Sequence, residues 1–404
     1  MNRPHLELAD VFNALDSDSS KTDTQSLNSP QRRAFRDIIQ CRSAALGGHV
    51  ERCTQCSHEQ IAYNSCRNRH CPKCQAAARK EWTQKRAAEL LPVEYFHVVF
   101  TLPDQLSPLA LQNKRVIYGL LFQAASETLL KIAADPKHLG AVIGFLAVLH
   151  TWGQTLQHHP HLHCVVPGGG LSPDHFRWIG CRKGFFLPVK VLSRLFRGKF
   201  VAYLKAANEQ GRLVFRGQSK HLAEGSHFAS LLNEVSKLEW VVYAKRPFGG
   251  PVQVLKYLAR YTHRVAISNQ RLVSLSEGKV TFRWKDYADG NAVKEMTLDV
   301  REFTRRFLLH ILPRAFVRIR HYGLLANRCR SERLECCRKL LAYGANQAVS
   351  PERPNEVDGQ CNAAREPQLC PVCGEGRMTI LKKLEPEGIR LPRSFLLVST
   401  ADTS

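Results

Sequence analysis

Long apolar runs are missing from this chain. The longest, such as AVIGFLAVL (141–149), are too short to cross a bilayer, and the opening MNRPHLELADVF lacks a charged-then-apolar signal pattern. The expectation is a cytoplasmic chain with no membrane partner. A Gly-x4-Gly-Lys-Ser/Thr phosphate loop is also missing, so no nucleotide cofactor is expected. Acidic residues are scarce: 35 Asp and Glu stand against 58 Lys and Arg, for a net charge of +23. No set of carboxylates stands out, which argues against a three-carboxylate metal centre. What remains is a basic surface suited to a polyanion, with nucleic acid the default partner. In a reducing compartment the 14 cysteines point to metal rather than disulfides.

Periodicity divides the chain into five parts. Residues 1–29 read as a flexible leader, 30–92 as a cysteine-rich domain whose motifs make it a zinc-binding, DNA-binding candidate, and 93–290 as the main domain. Residues 291–345 form a basic helix-strand region, and 346–404 a tail with one more Cys pair. Strands are expected at 95–102, 141–152, 161–167 and 240–246, with a hairpin at QRLVSL and KVTFRWKDY. Helices are expected at about 30–41, 75–91, 114–134, 188–208 and 251–266 and at REFTRRFLLHIL, with a strand at FVRIRHY and a turn at GGG (168–170). The fold class is α+β: a central antiparallel sheet with helices, a small N-terminal zinc domain and a C-terminal helical, basic region.

Residues 53–74 read CTQCSHEQIAYNSCRNRHCPKC. Two C-x-x-C knuckles, Cys53/Cys56 and Cys71/Cys74, match the spacing of a tetrahedral structural zinc site. Cys41, His49, Cys66 and His70 are candidates for a second. Cys370 and Cys373 form one more knuckle, with Cys361, Cys336 or Cys337 as possible mates. Arg67, Arg69 and Lys73 interleave with the ligands and are placed on a phosphate backbone.

The stretch QHHPHLHCVV (157–166) reads as a strand from His161. Leu162, Cys164 and Val166 then share one face, and His161 and His163 the other. Two imidazoles on one face suit a divalent cation, or simply a half-buried polar face. Tyr257 and Tyr261 lie four apart on a helix, hence on one face beside Lys256, Arg260 and Arg264. Such a pair is ordinary core, or a pair of nucleophiles.

Together these parts become specific. HPHLHCVVPGGGL (159–171) resembles the His-hydrophobic-His motif of the HUH endonucleases, and YLARYTHRVAISNQRL (257–272) resembles their two-tyrosine motif. CRNRHCPKCQ (66–75) and RRFLLHILPRAFVRIRHYGLL (305–325) are similar to segments of the rolling-circle transposases of the insertion sequence ninety-one family. The resemblance implies a transposase that nicks and joins single-stranded DNA at element ends through 5′-phosphotyrosine links. It implies that Tyr257 and Tyr261 are the nucleophiles and that His161 and His163 hold a Mg or Mn ion, beside structural Zn. Both metals prefer some oxygen donors, so a third ligand is expected. Gln154, at the preceding strand end, is the choice over His150, His158, His159 and His263. Lys256, Arg260, Arg264, Arg318 and Arg320 are expected to steady the DNA backbone. The alternatives are a plasmid replication initiator or relaxase of the same chemistry, a non-catalytic zinc DNA-binding regulator, and a histidine-triad nucleotide hydrolase.

Overall fold

The computed structural model describes residues 6–15, 27–75, 82, 86–245, 265–345 and 368–387. A five-stranded antiparallel sheet forms the palm. Its strands are β3 (Tyr95–Thr101), β4 (Gly144–Trp152), β5 (His158–Pro167), β8 (Val242–Lys245) and β12 (Ile319–Gly323), in the order β12-β4-β5-β3-β8. The expected antiparallel pairing of β4 with β5 is present.

Alternation gives the sheet two different faces. Phe96, Val98 and Phe100 of β3, Leu162, Cys164 and Val166 of β5, and Phe145, Ala147 and Leu149 of β4 point into the main core. Helices α4 (Lys114–Ala134) and α5 (Val189–Glu209) cover that face through Leu121, Phe122, Leu129, Phe196 and Phe200. By length and composition α4 could cross a membrane, but 67% of its most apolar window is buried inside the protein, as befits a core helix. The opposite face of the sheet carries the histidines. It also carries a small apolar cluster of Tyr95, Leu146, Val148 and Val165, with Trp82 and Leu90 packed against it.

A second core joins distant parts of the chain. Helices α1 (Leu8–Ala14) and α2 (Ser29–Gln40) pack through Leu8, Val11, Phe12, Phe35 and Ile38. Their partners are Phe303 and Phe307 of α7 (Val300–Leu309) and Phe282 of a three-stranded sheet, β9 (Leu272–Ser276), β10 (Lys279–Asp286) and β11 (Ala292–Asp299). The Phe12 ring stacks on Phe35 at 4.5 Å. Part of the expected flexible leader is therefore an ordered helix. Its apolar positions 8, 11 and 12 have helical spacing and a place to be buried.

Other expectations are corrected in detail. The GGG segment is a strand, β6 (Gly169–Leu171), paired with β7 (Trp178–Gly180), rather than a turn. Helices α3 (Ser107–Gln112), α6 (Gly225–Lys237) and α8 (Arg330–Ala345) and strand β11 were not anticipated. A third sheet joins β1 (Gly48–Cys53) to β2 (Glu59–Tyr63) and to β13 (Met378–Leu384). Strand β13 comes from the expected separate tail, yet it pairs with β1 in the N-terminal zinc-binding region. The expected helix at 251–266, with Tyr257 and Tyr261, lies outside the described residues except for its last two positions, which are not helical. Most of the expected helix at 75–91 lies outside them too.

Candidate active site and cysteine clusters

Strand register assembles the histidines. His161 of β5 pairs with His150 of β4, and His163 pairs with Val148 one step along the same face. The ring nitrogens of His150, His161 and His163 lie within 4.8 Å of one another. His150 and His163 are buried, and His161 is half-buried at the edge of the cluster. The His159 carbonyl accepts a hydrogen bond from His161 Nδ1 at 2.7 Å, which leaves Nε2 as the lone-pair nitrogen. His163 Nδ1 shares a 2.8 Å hydrogen bond with His97 Nε2, the two rings nearly parallel. His150 stacks on Trp152 at 4.7 Å. Three clustered imidazoles, one of them held in a fixed tautomer, suit a divalent ion, and imidazole favours Mn over Mg of the two expected metals.

Gln154 does not join this group. Its amide donates to the Tyr287 hydroxyl at 2.8 Å, and its carbonyl side-chain oxygen lies 3.5 Å from the Lys285 N–H. It sits in the β4–β5 connection, whereas the bulge between His150 and Trp152 leaves His150 facing inward. His150, weighed in the sequence only as a rival, occupies the third place. His158 is taken up by Ser107 Oγ at 2.6 Å and by the Tyr118 hydroxyl at 2.8 Å. His159 is half-buried and faces Asp104 at 3.4 Å. His97 went unnoticed in the sequence. A lone histidine in YFHVVFT carries no spacing signal, and only the β3–β5 register brings it to His163.

The cysteines group differently from the expected sites. Cys41, Cys66, Cys71 and Cys74 form one cluster, and Cys53, Cys56, Cys370 and Cys373 another. In the first, Cys74 Sγ lies 3.5 Å from both Cys41 and Cys66. Four sulfurs at about 2.3 Å from a tetrahedral zinc are about 3.8 Å apart, so the spacing fits. Cys41 caps the end of α2, and Cys71 precedes the helical residues 72–75, among which Cys74 lies. The Asn68 N–H points at Cys66 Sγ at 3.4 Å, and the Asn68 side chain is held by Asp37 at 3.0 Å. Neither expected histidine contributes. His49 pairs with Glu51 at 2.9 Å on β1, and buried His70 accepts from the Leu312 N–H at 3.3 Å. Burial, reinforced by Arg318 and Arg69, holds His70 well below the usual histidine range, hence neutral.

Several cations expected on DNA have partners inside the protein. Arg69 donates to the carbonyls of Phe316 and Pro313, and Lys73 is paired with Glu7 at 2.8 Å, both side chains about nine-tenths buried. Arg318 is buried and donates to Gln75 at 3.1 Å; burial pushes its pKa down to about 10. Arg320 lies 4.0 Å from the centroid of the Phe122 ring. These residues lock the zinc-binding region and β12 onto the core. Arg67 alone of this set is exposed. Lys256, Arg260 and Arg264 lie outside the described residues with the tyrosines.

A mixed sheet-and-helix palm with an imidazole cluster, joined to a cysteine-rich region spaced for zinc, defines a class of protein with candidate metal sites of two kinds. The comparisons narrow this class. Residues 144–333 match a family model described as "Putative transposase", and residues 11–102 match one described as "Transposase zinc-binding domain". The chain is 53% identical over 384 residues to "Putative transposase y4qJ" of Sinorhizobium fredii (strain NBRC 101917 / NGR234), covering 95% of this chain and 96% of that relative. It is 29% identical over 294 residues to "Transposase for insertion sequence element IS801" of Pseudomonas savastanoi pv. phaseolicola, covering 72% of this chain and 69% of that relative. No solved structure matches significantly. The chain belongs to the IS91 family of insertion-sequence transposases, with a zinc-binding domain near its N-terminus.

Proposed function

We propose that the protein nicks and joins single-stranded DNA at the ends of its element through tyrosine-linked 5′-phosphodiesters, driving rolling-circle transposition. The observation that carries this reading is the convergence of His150, His161 and His163 on one sheet face. His150, His161 and His163 would hold a Mg or Mn ion there, which when bound would supply positive charge to the scissile phosphate. Tyr257 and Tyr261 are the proposed nucleophiles. A tyrosine oxygen forms a bond to phosphorus, the P–O3′ bond breaks, and the departing 3′ oxygen takes up a proton. The phosphotyrosine conserves the phosphodiester, so a later attack by a 3′-hydroxyl rejoins DNA without a nucleotide cofactor.

The described residues on either side of the tyrosine segment support its placement here. β8 ends at Lys245, opposite His97 in the strand register. The chain re-enters at Val265, and Ala266 and Ile267 then pack in the cluster that holds Trp152, the stacking partner of His150. The described flanks of segment 246–264 are thus Lys245, paired with His97, and Ala266, in the same apolar cluster as Trp152. His97 is hydrogen-bonded to His163 Nδ1, a supporting position for a metal ligand. Work on DNA places the protein in the cytoplasm. Family membership favours this reading over a replication initiator, a non-catalytic regulator or a histidine-triad hydrolase.

The test is a covalent-adduct assay. Protein is mixed with labelled single-stranded DNA from the ends flanking its own coding sequence, with Mn or Mg, and separated on a denaturing gel. A metal-dependent adduct is expected in wild type, lost in the Tyr257→Phe/Tyr261→Phe double variant and in His161→Ala. No adduct from folded, DNA-binding wild type, or an adduct that survives in the double variant, sinks the assignment.

A further inference from the structure

We infer that Cys53, Cys56, Cys370 and Cys373 form a second zinc site that staples two far-separated stretches of the chain into one ribbon. The N-terminal family match ends at residue 102 and the other at 333, so neither includes Cys370 or Cys373. The geometry is that of two facing knuckles. Cys53 Sγ lies 3.7 Å from Cys373 Sγ across 320 residues, and Cys56 Sγ lies 3.6 Å from Cys370 Sγ across 314. All four sulfurs lie within 4.8 Å of one another. These separations suit a tetrahedral ion with bonds of about 2.3 Å to sulfur.

The backbone around the sulfurs is shaped for thiolates. The N–H groups of Gln55, Val372 and Gly376 point at Cys53, Cys370 and Cys373 Sγ at 3.4, 3.4 and 3.3 Å. Such donors stabilise negative sulfur. Gly376 is constrained as well: a Cβ there would lie 2.3 Å from Cys53 Sγ. A side chain at 376 would therefore have to displace the Cys53 sulfur for the knuckle to close.

Packing alone does not explain why this ribbon holds. β13 pairs with β1 from Cys53↔Met378 to Gly48↔Leu384, and β1 pairs with β2. Yet the buried cluster beneath the sheet consists of Cys53, Cys370 and Met378, with Cys373 beside them. Ile61, Ile380 and Leu381 of the same sheet are exposed. A small sheet with so little apolar burial needs a staple, and a metal supplies it. The register of β13 on β1 is thereby tied to the ion. The sequence expectation of a Cys53/Cys56/Cys71/Cys74 site mistook neighbouring knuckles for partners.

Zinc is counted by native mass spectrometry on the full chain. Wild type is expected to hold two ions, and Cys370→Ser/Cys373→Ser and Cys71→Ser/Cys74→Ser one each. Gly376→Ala is expected to lose one ion at a lower chelator concentration than wild type. A single ion in wild type, or no loss in Cys370→Ser/Cys373→Ser, overturns the site. Where that variant fails to fold, thiol alkylation of zinc-loaded wild type decides. Cys53, Cys56, Cys370 and Cys373 should be protected together and become reactive together as chelator is added. Free reaction of Cys370 and Cys373 while Cys53 and Cys56 stay protected overturns the inference. Neither readout depends on DNA cleavage, so the staple and the nuclease reading fail separately.

Discussion

A single residue decides which side chains complete the proposed metal site. His150 faces His161 across the β4–β5 ladder, while Gln154 is spent on Tyr287. His150→Ala is therefore expected to abolish adduct formation as His161→Ala does, and Gln154→Ala to leave it within a few-fold. His97→Gln should weaken Mn affinity by about 10–100-fold, the usual cost of losing a partner behind a metal-bound histidine. Mn titration of adduct yield measures all three, and a dead Gln154→Ala with an active His150→Ala would reverse the ligand assignment. The sequence showed His161 and His163 because two positions on one strand share a face whatever the fold. It could not rank Gln154 against His150, since that depends on a bulge in β4 and on the register between strands.

Elements meet at two buried histidines, and these make the fold sensitive to acid. His158 ties the start of β5 to Ser107 of α3 and Tyr118 of α4. His310, just past α7, touches Thr151 of β4 at 3.2 Å and the Leu156 carbonyl at 3.0 Å. Burial pushes His158 down to about 2 and His310 down to about 3. Both are neutral in the folded and unfolded states above about pH 6.5. Below that pH the unfolded chain takes up protons that the folded one refuses. Stability should then fall by about 1.4 kcal/mol per histidine per pH unit, down toward the folded pKa values. Urea midpoints between pH 7 and 5.5, before carboxylates titrate, should drop, and His158→Gln/His310→Gln should flatten the dependence; a flat wild-type profile refutes it. Most elements of this core were legible, among them β3, β4, β5, α4, α5 and α7, whose apolar periodicity is strong. β13 and α1 were not. Short segments in polar surroundings become ordered only by contacts made far along the chain, with β1 and with α2 and α7.

Across the whole molecule the net charge of +23 makes phosphate contacts the expected main source of DNA affinity. A footprint of six to ten phosphates would cost about 10³–10⁵ in affinity between 50 and 200 mM salt. Not every cation contributes. Arg69, Lys73 and Arg318 are tied to Phe316, Glu7 and Gln75, so their charge is committed to contacts that hold the zinc-binding region against the rest of the protein. Arg67 is exposed, at a turn of positive φ beside the zinc cluster. Fluorescence anisotropy with a single-stranded oligonucleotide, repeated over a salt series, separates the two groups. Arg67→Gln should lower the salt slope by about 0.7, the share of one contact to single-stranded DNA, and leave stability unchanged. Arg318→Gln should leave the slope intact and destabilise the fold, because it strips a buried hydrogen bond from Gln75. The reverse pattern would mean that the buried cations swing out to bind DNA and that the packing of the zinc-binding region on the palm gives way when they do.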